Sequence, residues 1–333
     1  MSPQLANAAI PREVLVLDET QIRELVGLRE AKPAVADAFT ALSEGKVMLP
    51  GVVEFDFPEK EGETHVKGAY LYGSPFYTVK VASGFFANRE KRLPVGSGLV
   101  LVFDATTGFL RAILFDNGYL TDLRTGAAGG VAADLLAKHE VRVAAVIGAG
   151  VQGRYQLEAL LDVRRPSTVL VYDEDVSRSD EYVDQMRSRV DADLRAAASV
   201  EEAVRAADVI ITCTPSRRPY LQADWLSPGA HITAMGSDMP LKHELEVEVL
   251  RRADKIVTDS LEQCLARGET HHAVEAGVIT RKDVYAELGE ITAGKKPGRT
   301  DDQEITVADL TGVGVQDAAV ANLVVDKALR RQA

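Results

Sequence analysis

From Thr20 to Lys46 apolar residues recur at helical spacing, with Val35, Phe39 and Leu42 on one face, and a break is expected before Pro33, a residue suited to a first helical turn. Between Met48 and Phe115 the texture shortens to strand-like runs, YTVKVASGFF, GLVLVFD and LRAILFD, separated by turn-rich pieces such as DATTG and ANREKRLP. This part reads as a β-rich domain. TDLRTGAAGGVAADLLAKH keeps helical spacing despite glycines small enough to admit a backbone or a ligand, and is expected to bridge two domains. Apolar strand candidates VAAVIGAG, TVLVYDED, DVIITCTP, HITAMGSD and KIVTDS then alternate with amphipathic stretches, the pattern of a parallel sheet covered by helices. Ser199-Val200-Glu201-Glu202 is a capping box opening one of those helices. At the end EITVADLTG resembles a strand and DAAVANLVVDKALRRQ a helix, a tail expected to return to the first domain. The reading is an α/β protein: a discontinuous α+β domain of residues 1–123 plus 304–333, and a parallel-sheet domain of residues 124–303.

Composition narrows the partners. The 333 residues are 46% hydrophobic with a net charge of −12, which suits folded domains and disfavours nucleic acid or anionic lipid as partner, since phosphate would be repelled. A small molecule is the default ligand. The start, MSPQLANAAIPREVLVLDE, lacks a basic region followed by an apolar run, and no stretch approaches the roughly 18 apolar residues of a membrane span. A soluble cytoplasmic protein without a membrane partner is expected. Cys213 and Cys264 have no metal or redox spacing and read as packing thiols, and the histidines form no zinc pattern, so no metal is expected.

Gly148-Ala149-Gly150-Val151-Gln152-Gly153 lies between an apolar strand and a helix, where GxGxxG makes a tight turn, admits a pyrophosphate and packs helix on strand. Asp173 ends the next strand, 20 residues after Gly153, where a carboxylate accepts from ribose hydroxyls. Asp173-Glu174-Asp175 would repel a 2′-phosphate, with Arg178 the nearby cation, so NAD is favoured over NADP. Thr212, Thr214 and Pro215 end a later strand at the usual ligand edge; they line the cofactor or form an ordinary turn.

Lys80 shares a strand face with Thr78 and Ala82, and Arg124 lies beside an expected helix start. Together they clamp a carboxylate, or are two solvated surface charges. Lys67, with His65 and Ala69 on its face, is a third candidate cation or a surface lysine. Asp238, after a strand and Gly236, is a base toward an amine or water, or a helix N-cap. Without HExxH or GxSxG, hydride chemistry leads.

VKVASGFF, GYLTDLRTGAAGG, VIGAGVQG, TAMGSDMPLKHEL, LGEITAGKKPGR and EITVADLTGVGVQD, in this order over almost the whole chain, resemble the ornithine cyclodeaminase and mu-crystallin family. HVKGAYL and DNGYLTDLRT resemble its cyclodeaminase-like proteins of ectoine utilisation. The resemblance implies a Rossmann NAD-binding domain and a substrate-binding, homodimer-forming domain. It makes Lys80 and Arg124 carboxylate binders, Asp238 the catalytic acid/base, Gly148 through Gly153 with Asp173 the dinucleotide site, and Thr311, Gly312 and Val313 the segment beside the nicotinamide. The implied activity is hydride transfer at Cα of a small amino or imino acid, with loss of ammonia and cyclisation. The alternatives are a net amino-acid dehydrogenase or imine reductase, and a mu-crystallin-like binder without turnover. One departure stands out: ornithine cyclodeaminases carry an Arg shortly after the pair that here is Leu49-Pro50, whereas this chain reads Gly51-Val52-Val53. Either Lys67 supplies that charge or the substrate is not ornithine.

Overall fold

The computed structural model describes residues 13–332; the expectations for residues 1–12 and 333 lie outside the described residues. The chain divides into two units, residues 1–27, 46–121 and 317–333, and residues 28–45 and 122–316.

The first unit is built on a seven-stranded sheet. Its main path runs Leu15–Asp18, Leu110–Phe115, Gly96–Asp104, Phe76–Phe85, Gly62–Leu71, Val47–Met48, with Val53–Phe57 also pairing on Gly62–Leu71. All pairings are antiparallel except that of the first two strands. Period-2 alternation along Phe76–Phe85 buries Phe76, Thr78 and Lys80 in turn. The helix Glu19–Leu25 starts at a capping box of Asp18 and Gln21 and buries Ile22 and Leu25.

The second unit holds an eight-stranded, wholly parallel sheet in the order Asp193–Ala196, Thr168–Tyr172, Val143–Ile147, Val209–Thr212, His231–Ala234, Thr306–Asp309, Lys255–Thr258, Val284–Glu287. Its central strands are buried on both faces, as in a sheet covered on both sides. At Ser199 the hydroxyl accepts from Glu202 N, while the Glu202 carboxylate reaches Ala198 N instead of closing the expected box on Ser199.

Three boundaries differ from the sequence reading. The break before Pro33 is absent, because the helix Leu28–Ser43 runs through it. Proline there removes one hydrogen bond near the helix start, and the buried face of Ala31, Val35, Ala38 and Phe39 offsets that loss. This helix belongs to the second unit: Phe39 O lies where a Cβ on Gly289 would fall, and Ser43 Oγ donates to Gly289 O. The tail returns to the first unit at Asp317, not at residue 304, because Thr306–Asp309 is a fully buried strand with a parallel partner on each side. The expected bridging helix is Tyr119–Leu136, and the division falls within it between Thr121 and Asp122.

Candidate active site

Gly148 follows the strand Val143–Ile147 with φ +111°, and a Cβ there would lie 2.8 Å from Cys213 O. Only glycine suits this position on both counts. At Gly153 a Cβ would strike Gly148 O, so the third glycine lets the helix Val151–Leu161 sit directly on the strand. Gly150 differs: only the Arg178 guanidinium comes near, at 3.7 Å. It is the N-cap of that helix and no side chain caps the first turn. The exposed Val151 and half-buried Gln152 follow, the latter donating to Asp122 at 2.8 Å. An open glycine before uncapped backbone N–H groups suits an anion by geometry and dipole.

The glycines of the Tyr119–Leu136 helix admit a backbone, not a ligand. A Cβ at Gly126 would meet Tyr155, at Gly129 the Gln156 amide, and at Gly130 Ala159, all on the Val151–Leu161 helix. The two helices therefore run at close approach.

Asp173 ends the strand Thr168–Tyr172, is nearly buried, and accepts from Ala149 N at 2.9 Å and Asp175 N at 3.2 Å. Arg178 stands 3.5 Å away. Asp175 caps the helix Val176–Met186 through Ser177 N. These residues fit a dinucleotide: glycine turn, helix start and carboxylate occur in one unit in the needed order.

Thr212 is fully buried and its hydroxyl donates to Glu244 at 2.8 Å, so it supports the sheet edge and does not line a ligand surface. Thr214 is half-buried and also bonds Glu244, through both N and Oγ1. After the strand Thr306–Asp309, Thr311 Oγ1 and Gly312 N donate to the buried Asp259 at 3.0 and 2.6 Å, and Val313 N donates to Gln316 Oε1. Burial pushes the Asp259 carboxyl up from its usual range.

Arg124 joins that same segment. It is 7% exposed, its Nη1 donates to Gln316 Oε1 at 3.0 Å, and a Cβ on Gly312 would lie 2.5 Å from it. It lies within the helix, past the expected start. Asp238, with its side chain 48% exposed, accepts from Lys242 Nζ at 2.6 Å. The segment from Gly236 to Lys242 is not helical, so Asp238 caps no helix.

In the first unit Lys80 is 4% exposed, with Nζ donating to Asp317 at 2.8 Å and to Thr121 Oγ1 at 3.2 Å. Burial of Lys80 and Arg124 removes the reading of two solvated surface charges. Lys67 stands directly opposite Lys80 in the antiparallel register, so both side chains share one sheet face. Asp116 is buried nearby; burial raises its carboxyl, opposed by the N–H of Leu120 and the charge of Lys80.

Sequence reading missed Asp317, Gln316, Asp116 and Glu244. A faint signal exists for two of them: Gln316 and Asp317 are polar in the otherwise apolar run GVGVQDAAVA.

The sequence model of the ornithine cyclodeaminase/mu-crystallin family matches residues 12–332. An uncharacterized cyclodeaminase, y4tK, of Sinorhizobium fredii is 42% identical over 96% of this chain and 97% of its own. A solved archaeal alanine dehydrogenase dimer with bound NAD superposes with a TM-score of 0.89 at 39% identity, covering 96% of this chain and 97% of that one. The Δ1-pyrroline-2-carboxylate reductase of Thermococcus litoralis, solved with NADH and L-proline, gives 0.90 at 32% identity, covering 96% and 98%.

Proposed function

The chain belongs to the ornithine cyclodeaminase/mu-crystallin family, and we propose that it is an NAD-dependent enzyme transferring a hydride to or from the α-carbon of a small amino or imino acid. One observation carries this reading: a buried arginine packs on the backbone of Gly312 in the same unit as an open glycine turn and an uncapped helix start. Gly148 through Gly153 would receive the pyrophosphate and Asp173 the adenosine ribose, and the acids at 173–175 favour NAD over NADP. When bound, the dinucleotide supplies the hydride acceptor or donor.

The chain's own groups do the rest. Arg124 offers a planar fork to the substrate carboxylate, and Lys80, held in place by Asp317, a point charge. Lys67, on the face of Lys80, takes the charge that other members place after Leu49-Pro50. Asp238 takes a proton from the amine or returns one to the imine, and exchanges it with solvent through its exposed side. Thr311, Gly312 and Val313 would stand beside the nicotinamide. Fixing the α-carbon against that ring makes transfer effectively intramolecular.

Net oxidoreduction is the fate we favour for the imine. The two solved neighbours are a dehydrogenase and a reductase. Cyclodeamination is the second reading, favoured by the name of the Sinorhizobium relative. The enzyme is proposed to act in the cytoplasm as a homodimer, the archaeal neighbour being a dimer. Val53 and Phe55, 53% and 51% exposed, offer apolar area for that contact. Among the described residues no helix is long and apolar enough to cross a membrane.

The test incubates the protein with NADH and Δ1-pyrroline-2-carboxylate, with NADH, pyruvate and ammonia, and with NAD and ornithine. NADH consumed in step with an imine supports net reduction. Ammonia released beyond cofactor equivalents moves the assignment to cyclodeamination, and tight NADH binding without either makes the protein a binder.

A further inference from the structure

The loops at the carboxyl edge of the parallel sheet converge on Glu244, a side chain not used above. It is fully buried. Its Oε1 accepts from Thr214 N, Thr214 Oγ1 and Tyr220 OH, each at 2.7 Å. Its Oε2 accepts from Thr212 Oγ1 at 2.8 Å and Gly236 N at 2.9 Å. Each oxygen thus meets one backbone N–H, an obligate donor, together with hydroxyls that turn to suit it. No cation contributes to these five bonds; backbone and hydroxyl groups hold the carboxyl in place.

The backbone around Glu244 is fixed too. Tyr220 N donates to Glu244 O, and Glu269 receives both Glu244 N and Leu245 N. A Cβ on Gly236 would fall onto Thr214 O and the Glu244 carboxylate. The missing Cβ at Gly148 faces Cys213 O and Thr214 Cγ2, the latter at 3.1 Å. One carboxylate thus holds both the loop that walls the glycine turn and the residue two places before Asp238.

We infer that Glu244 is a positioning residue of the dinucleotide site: its buried carboxylate ties Thr214 to Gly236, seating one against the Gly148 turn and fixing the start of the segment that carries Asp238. The inference rests on the dinucleotide reading given above. Replacing Glu244 by Gln keeps the volume and turns an NH2 toward one pair of donors, which then face a donor instead of an acceptor.

The experiment is a fluorescence titration of NADH into wild type, Glu244→Gln and Tyr220→Phe, at a temperature where circular dichroism shows each fully folded. The expected Kd rises about tenfold or more for Glu244→Gln and about twofold to fivefold for Tyr220→Phe, which removes one donor and keeps the carboxyl. A merely structural role would lower the unfolding temperature and leave the Kd of the folded variants at the wild-type value, and that result overturns the inference. If Glu244→Gln does not fold, an unchanged Kd in Tyr220→Phe overturns it equally. Wild type that binds no NADH would instead remove the dinucleotide reading and this inference with it.

Discussion

Two ways of burying charge stand side by side, one taken from each unit. In the first, Lys80 is matched by a carboxylate of opposite sign, Asp317, at 2.8 Å. In the second, Glu244, Glu269, Asp309 and Asp259 are all buried and take most of their hydrogen bonds from neutral groups: backbone N–H, threonine and tyrosine hydroxyls and a thiol. Removing Asp317 takes away the opposite charge bonded to Lys80 and leaves a neutral hydroxyl, that of Thr121, so much of the cost of burial is exposed. A carboxylate held by many donors loses only a share when one goes, and burial keeps its proton affinity high.

The largest effect should come from breaking the pair. Asp317→Ala leaves Lys80 buried without that partner and should cost about 3–5 kcal/mol in urea unfolding, whereas Lys80→Met with Asp317→Leu should recover most of it. Recovery well short of that would mean that the pair is held by more than charge. Next, Asp259→Asn keeps one acceptor oxygen of two and should cost about 1–3 kcal/mol by the same measurement. A loss as large as that of Asp317→Ala would erase the distinction drawn here.

The smallest effect is a slope. Burial raises the Asp309 carboxyl to about 7, against the N–H donors of Thr270 and Glu269 that favour its ionised form. The folded state therefore keeps a proton that the unfolded chain releases near pH 4. Its stabilising contribution is complete below that pH and is lost as pH rises through about 7. Wild type minus Asp309→Asn should show urea midpoints drifting downward across this window. His231 slopes the other way: burial lowers its ring to about 3, so its contribution falls away as pH drops from about 6.5 toward 3. An Asp309 difference that rises with pH would show that hydrogen bonding outweighs burial.

The parallel sheet, the glycine turn and its Asp173 partner were legible because they are local: a strand, three glycines and a carboxylate at fixed spacing. Lys80 and Arg124 were legible as charges in apolar surroundings, but not as buried ones, since burial depends on Asp317 and Gln316, 237 and 192 residues away. The strand Thr306–Asp309 was expected in the wrong unit because its pattern says only that it is apolar. Which strands it enters between is settled by long-range pairing. Pro33 misled for a similar reason, since tertiary packing outweighed a local preference.

The glycine contact between the helices Tyr119–Leu136 and Val151–Leu161 has a consequence for how this protein can change. One helix carries Arg124 and the other begins at the glycine turn, and a methyl group at Gly126 would fall 2.9 Å from Tyr155 Cβ and 3.2 Å from its carbonyl oxygen. Any side chain added there would shift both at once. With the roles proposed for Arg124 and the glycine turn, substrate preference and coenzyme affinity would be tied through this seam, and mutational paths that retune one alone would run through residues elsewhere.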